Sequence, residues 1–258
     1  MTVALDKYQA LGNDFLILVD PDGTHAVDDE FVRRVCDRHL GVGADGLITV
    51  TPGAAGRADL VMDLRNADGG RAEMSGNGIR CLVRAAVSHG LVAGPEVTVA
   101  TDHGDKRLWV KDEGVTVDMG PGLLGPERDH SSPGWRQMEV DMGNPHLVLL
   151  CPDPAEVHVA ELGPKLEQLR PGGINVEFIA PGPGTDELRF RVWERGAGET
   201  QACGTGSCAA AAAAHAWGLV GTTVTVHNPG GDLDVEVGED TVLLTGPAEY
   251  VARVEIPS

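Results

Sequence analysis

Two short stretches of this chain have the makings of a reactive anion cradle. Ser75-Gly76-Asn77-Gly78 and Cys203-Gly204-Thr205-Gly206 each set a small nucleophilic side chain ahead of Gly-x-Gly, and each opens into an alanine-containing stretch that reads as helix. The first amides of a helix have no partner inside it and carry partial positive charge, so they attract a carboxylate and favour a thiolate. Glycine lets the backbone approach such a ligand closely. Two helix starts acting on one carboxylate would also stabilise the charge that develops when a proton leaves the adjacent carbon. One Gly-x-Gly loop alone is an ordinary turn; the pairing is what points to carbon-acid chemistry.

The pairing extends beyond the loops. Ser75 and Cys203 are 128 positions apart, and so are Arg65-Asn66 and Trp193-Glu194, while Leu11-Gly12-Asn13-Asp14 is echoed 131 positions later by Met142-Gly143-Asn144-Pro145. Three echoes in one order predict duplicated halves, here 1–120 and 121–258, with equivalent loops facing a cleft suited to a small molecule.

The elements that must carry these loops are mostly strands. Gly 35 and Pro 16 among 258 residues call for many turns, and Val-, Ile- and Leu-bearing runs recur between them. Strands are expected over 8–19, 96–100, 107–110, 115–118, 146–150, 175–179, 188–193, 222–227, 232–237 and 241–244, with a hairpin turn at Lys111-Asp112-Glu113-Gly114. Helices are expected over 29–39, 78–89, 161–169 and 205–217, the last rich in alanine. The inventory is α+β.

Composition removes several functions. A formal charge of −19 repels phosphate backbones and anionic lipid surfaces, so neither nucleic acid nor membrane is an expected partner. The run 209–214 is too short to span a bilayer, and the first residues lack a basic region followed by an apolar block; a cytoplasmic protein is expected. The five cysteines lack the spacing of a disulfide framework or zinc site, and the nine histidines are dispersed, so no metal is expected. Cys36, Cys81, Cys151 and Cys208 are read as core packing.

With these residues in view, the chain resembles the diaminopimelate epimerase family. The resemblance rests on Leu11-Gly12-Asn13-Asp14-Phe15, Gly41-Val42-Gly43-Ala44-Asp45-Gly46, Asn66-Ala67-Asp68-Gly69, Glu73-Met74-Ser75-Gly76-Asn77-Gly78-Ile79-Arg80-Cys81, Gly143-Asn144-Pro145-His146, Asn175-Val176-Glu177-Phe178 and, most specifically, residues 194–206. It implies two pseudo-symmetric domains, each a mostly antiparallel sheet wrapped around a central helix. It also implies an epimerase that needs no cofactor and takes a small-molecule amino-acid substrate, L,L-diaminopimelate, to the meso form. Whether two copies pair as a homodimer is left open by the sequence.

The family uses two thiols on opposite faces of the substrate α-carbon. Cys203 matches one, whereas Ser75 stands where the family has the other cysteine. A thiol titrates near 8.5 and a serine hydroxyl several units higher, so Ser75 is a poor replacement base, though it can donate a hydrogen bond or position a water. By the same resemblance Asn13, Asn66, Asn144, Asn175, Glu194 and Arg195 would hold the distal amino-acid end. Gly76, Asn77, Gly204 and Thr205 would offer amides to the reacting carboxylate. His146 would assist at position 75 and Glu194 at Cys203. Two other functions stand beside epimerisation: a one-base isomerase or lyase using Cys203 on another amino-acid-like substrate, and an inactive amino-acid-binding protein.

Overall fold

This computed structural model describes residues 2–54, 56–72, 74–112, 114–129 and 134–257; Glu73 and Glu113, quoted above, lie outside them. The chain forms two compact units, Met1–Val117 with Gly246–Ser258, and Asp118–Thr245.

The first unit runs β1 (Thr2–Ala10), β2 (Asn13–Val19), α1 (Asp29–Cys36), β3 (Gly46–Pro52), β4 (Leu60–Asn66), α2 (Gly76–Ser88), β5 (Glu96–Thr101), β6 (Gly104–Val110) and β7 (Val115–Asp118). β1 and β2 pair antiparallel, β2 and β3 parallel, β3 and β4 antiparallel, β4 and β5 parallel, and β5, β6 and β7 antiparallel in turn. β4 alternates buried and exposed positions, as a strand with one covered face must. What covers that face is α2, which packs on β1 to β4 and buries Ile79, Leu82 and Val83 completely. Each such side chain contributes about 1.5–3 kcal/mol.

The second unit repeats that order. It contains β8 (Leu123–Asp129), β9 (Arg136–Asp141), β10 (Pro145–Leu150), α3 (Val159–Glu167), β11 (Asn175–Pro181), β12 (Glu187–Glu194), β13 (Gly198–Thr200), α4 (Gly204–Ala216), β14 (Thr223–Asn228), β15 (Gly231–Val237) and β16 (Val242–Gly246). β9 pairs antiparallel with β10, β10 parallel with β11, β11 antiparallel with β12, β12 parallel with β14, and β14, β15 and β16 antiparallel in turn. The alternation of antiparallel and parallel steps is that of the first unit, strand for strand. α4 is apolar nearly all round and is correspondingly buried from Ser207 to Ala214. Alanine leaves room for a sheet to close around it.

Three differences from the sequence reading have identifiable causes. The expected strand 8–19 is two strands, because Leu11 (φ 56°) and Gly12 (φ 85°) make a left-handed turn between them. A leucine seldom adopts that conformation, so nothing in its type signals the turn. The strand Glu249–Pro257 belongs to the first unit, where it pairs antiparallel with β1, and so the segment 121–258 is not one compact half. Helix α1 stops at Cys36 because the Asp37 carboxylate accepts hydrogen bonds from the amides of His39 and Leu40, turning the chain out of the helix. Among the described residues, no helix is long and apolar enough to cross a membrane.

Candidate active site

Ser75 and Cys203 occupy the same structural position in their units. Each is the N-cap of its unit's central helix, in extended backbone conformation. Ser75 Oγ accepts the Gly78 amide at 3.0 Å, and Cys203 Sγ accepts the Gly206 amide at 3.3 Å. Serine is among the preferred capping residues, so the loop at 75 is locally self-consistent, while a sulfur cap at 203 is unusual, sulfur being a weak acceptor. The two helices begin two residues and one residue earlier than expected, directly after these caps.

In the first unit, Asn13, Gly76 and Asn77 form one connected patch. Asn77 Nδ2 donates to Asn13 Oδ1 at 3.3 Å, and Asn13 Nδ2 donates to Asp45 Oδ2 at 2.7 Å. Arg38 bridges Asp45 and Asp14 at 2.6 and 2.7 Å, and Lys7 Nζ lies 2.8 Å from Asp14. From below, the wholly buried Arg80 donates to Asn77 Oδ1 at 2.9 Å and to the Gly76 carbonyl at 3.0 Å. Asn66 ends β4 opposite Gly46 and is exposed. The charge backing this helix start is therefore cationic.

The second unit gathers Asn144, His146, Asn175, Glu194, Arg195, Cys203, Gly204 and Thr205. Asn144 Nδ2 donates to Thr205 Oγ1 at 3.5 Å, and Thr205 Oγ1 lies 3.5 Å from Cys203 Sγ. Asn175 bridges two strands' ends, donating to the Pro145 carbonyl at 3.0 Å and accepting the Arg195 amide at 2.9 Å. The Thr200 hydroxyl donates to Glu194, and the Cys203 thiol interacts with the same carboxyl. His146 is fully buried, with Nδ1 2.6 Å from Glu177 Oε1 and Nε2 3.0 Å from Asn144 Oδ1. Both ring nitrogens are thus engaged on the Cys203 unit.

The charge behind this second helix start is anionic. Burial pushes the Cys203 thiol well above its ordinary value, and Glu194 and Glu177 push it the same way. Burial also raises Glu194, against the hydrogen bonds from Thr200 and Cys203, and raises Glu177, against His146. Cys203 is therefore a neutral thiol beside a carboxyl whose hold on a proton is strengthened by burial. The other cysteines are buried, and burial lifts Cys36 and Cys151 to about 11 and Cys81 to about 12, in keeping with packing roles.

Sequence reasoning assigned no role to Glu177, Thr200, Asp45 or Arg80. Glu177 carried a signal: it is a lone charge inside the apolar run Val176 to Ala180, where every residue is buried.

The sequence profile of the diaminopimelate epimerase family matches residues 6–124 and 138–251. The chain belongs to that family. A diaminopimelate epimerase of a Cyanothece species is 42% identical, aligned over 97% of this chain and 98% of its own length. One from Moorella thermoacetica is also 42% identical, over the same shares of both chains. Among solved structures, a phenazine biosynthesis protein of the PhzF family from Enterococcus faecalis aligns over 100% of both chains with TM-score 0.76 at 17% identity. A hydroxyproline epimerase from Agrobacterium vitis aligns over 99% of this chain and 92% of its own, with TM-score 0.71 at 18% identity. These two likenesses show the fold: a two-domain mixed sheet with few helices, as the diaminopimelate epimerase family has.

Proposed function

We propose that this protein is a cytoplasmic, cofactor-independent epimerase that converts L,L-diaminopimelate to meso-diaminopimelate. The observation that carries the reading is the Cys203 thiol, held at the start of α4 against a carboxyl that can take its proton. Relatives 42% identical over nearly the whole chain and named diaminopimelate epimerase support the substrate.

The reaction begins when Cys203 passes its proton to Glu194. The resulting thiolate is stabilised by the Gly206 amide, the Thr205 hydroxyl and the positive end of α4. The thiolate takes the substrate α-proton, and the electron pair left on carbon delocalises into the carboxylate, which the amides of Gly76, Asn77, Gly204 and Thr205 receive. A proton returned to the opposite face inverts the centre. Ser75 supplies or relays it: its Oγ accepts from Gly78, which leaves the hydroxyl hydrogen to donate. The proton held by Glu194 and the one given up at position 75 then exchange with water, so the cycle balances. Asn13, Asn66, Asn144, Asn175 and Arg195 hold the distal amino-acid end, and Glu194 borders it.

A second reading is favoured by one observation, the serine at position 75. A protein with sulfur on one side only could exchange or eliminate the α-proton without inversion. Incubation with L,L-diaminopimelate in deuterated water, followed by NMR, separates the two: inversion with solvent deuterium supports the epimerase, and exchange with retention supports the one-base enzyme. Binding with no exchange sinks both. Ser75→Cys should raise turnover about tenfold or more, equivalent to about 1.4 kcal/mol of barrier.

A further inference from the structure

The duplicated architecture supplies an internal control for the buried Glu177–His146 pair. Parallel pairing sets Phe15 opposite Gly46 and Ile17 opposite Ile48 in the first unit, and His146 opposite Asn175 and Val148 opposite Glu177 in the second. Since Asn13 corresponds to Asn144, Phe15 corresponds to His146 and Ile48 to Glu177. Both pairs lie beneath the helix start. A methyl group added at Gly78 would come within 3.0 Å of Ile48 and 3.4 Å of Phe15, and one added at Gly206 within 2.9 Å of Glu177 Oε1.

The fold therefore fills this space with hydrocarbon in one unit and with an ionisable pair in the other. Packing does not require the polar version. Burying a charged pair costs desolvation that its mutual attraction repays only with good geometry, and apolar replacements of such pairs are often neutral or stabilising. The polar pair needs a reason other than stability.

Geometry indicates what that reason is. With Asn144 placed so that Nδ2 donates to Thr205, its Oδ1 accepts from His146 Nε2–H. One further proton lies between His146 Nδ1 and Glu177 Oε1, so the buried pair carries two protons and no net charge. Glu177 Oε2 is buried without a hydrogen-bond partner in the structure. The same would-be methyl at Gly206 would lie 3.2 Å from Cys203 Sγ, so carboxyl and sulfur border one small space.

Resting on the epimerase reading, we propose that Glu177 is a positioning residue of the Cys203 half-site. It locks the His146 ring, through that ring it aims the Asn144 amide toward Thr205 and the substrate, and it sets a carboxyl oxygen beside the sulfur. Glu194 and Glu177 are the carboxyls next to Cys203, Thr205 and the Gly206 amide its hydrogen-bond partners, and His146 the titratable group behind Glu177.

The test is Glu177→Gln in the full-length protein. Three readouts are followed: the low-field proton resonance of His146 Nδ1, assigned with His146→Phe; the pH profile of Cys203 alkylation without substrate; and α-proton exchange on L,L-diaminopimelate. The expected results are loss of the low-field resonance, a downward shift of the alkylation midpoint because the carboxyl end of the pair that faces the sulfur has become an amide, and exchange slowed about 100-fold, the cost of a roughly 1 Å misplacement. An unshifted alkylation profile with exchange within about twofold of wild type overturns the proposal. If wild type itself shows no exchange while the resonance and the alkylation midpoint still move, the positioning role stands and the substrate assignment falls. Should Glu177→Gln fail to fold, the paired variant His146→Phe with Glu177→Ile, copied from the first unit, decides: folded protein with exchange lost supports the proposal, and folded protein with full exchange overturns it.

Discussion

Glu177 Oε1 and His146 Nδ1 are 2.6 Å apart, and neither side chain has any exposed surface. Because Ile48 and Phe15 hold the matching places in the first unit, the energetics of the pair can be separated from its chemistry. His146→Phe alone leaves Glu177 buried and unpartnered, and should cost about 3–5 kcal/mol. Adding Glu177→Ile should recover most of that loss. Urea unfolding of both single variants and the double closes the cycle; additive losses would mean that the pair is not coupled.

Cys203 is expected to react slowly for a candidate catalytic thiol. Burial and the neighbouring carboxyls of Glu194 and Glu177 hold it as the thiol, so iodoacetamide should modify it only at pH well above that of a free cysteine. Glu194→Gln removes one negative neighbour and should shift the alkylation profile to lower pH, while removing the proton acceptor and with it most α-proton exchange. Peptide mapping identifies the modified residue. Rapid labelling of wild-type Cys203 at neutral pH would contradict the thiol assignment.

Much of this organisation is readable in the chain. The echoes at 128 and 131 positions anticipate a strand-for-strand repeat, and the two Gly-x-Gly loops begin the two central helices. What the sequence hides is non-local. Nothing in the alternating residues of Glu249–Pro257 says that they pair with β1, 240 or more positions away in the chain. The parallel steps β2–β3 and β4–β5 depend on crossovers, not on local pattern. In the same way, the roles of Arg80 beneath Asn77 and Thr200 against Glu194 follow from packing partners that spacing does not reveal.

Gly206 offers a test of how tightly the Cys203 half-site is built. Alanine in place of a helical glycine ordinarily gains about 1 kcal/mol of helix propensity. Here the added methyl would meet Glu177 Oε1 at 2.9 Å and Cys203 Sγ at 3.2 Å, and neither buried group can swing into solvent. Gly206→Ala should slow α-proton exchange by at least about tenfold, near 1.4 kcal/mol in barrier, while circular dichroism stays that of the wild type. Unchanged exchange would show that the space beside the sulfur is slack.

Asp14 links the stability of the first unit to the placement of Asn13. Burial pushes its carboxyl up, but hydrogen bonds from Arg38 and Lys7 and the charges of both outweigh this, so it titrates below the usual carboxylate range. A carboxyl with a lowered folded value contributes stability above its unfolded value, near 3.9, and that contribution disappears as pH falls through the lower, folded value. Asp14→Asn should therefore be less stable than wild type at pH 7, with the gap closing below about pH 4. Because Arg38 also holds Asp45, which fixes Asn13, the variant should bind L,L-diaminopimelate more weakly at neutral pH. Urea midpoints at pH 7, 5 and 3 check the first claim, and a gap that stays constant across that range would remove Asp14 as its source.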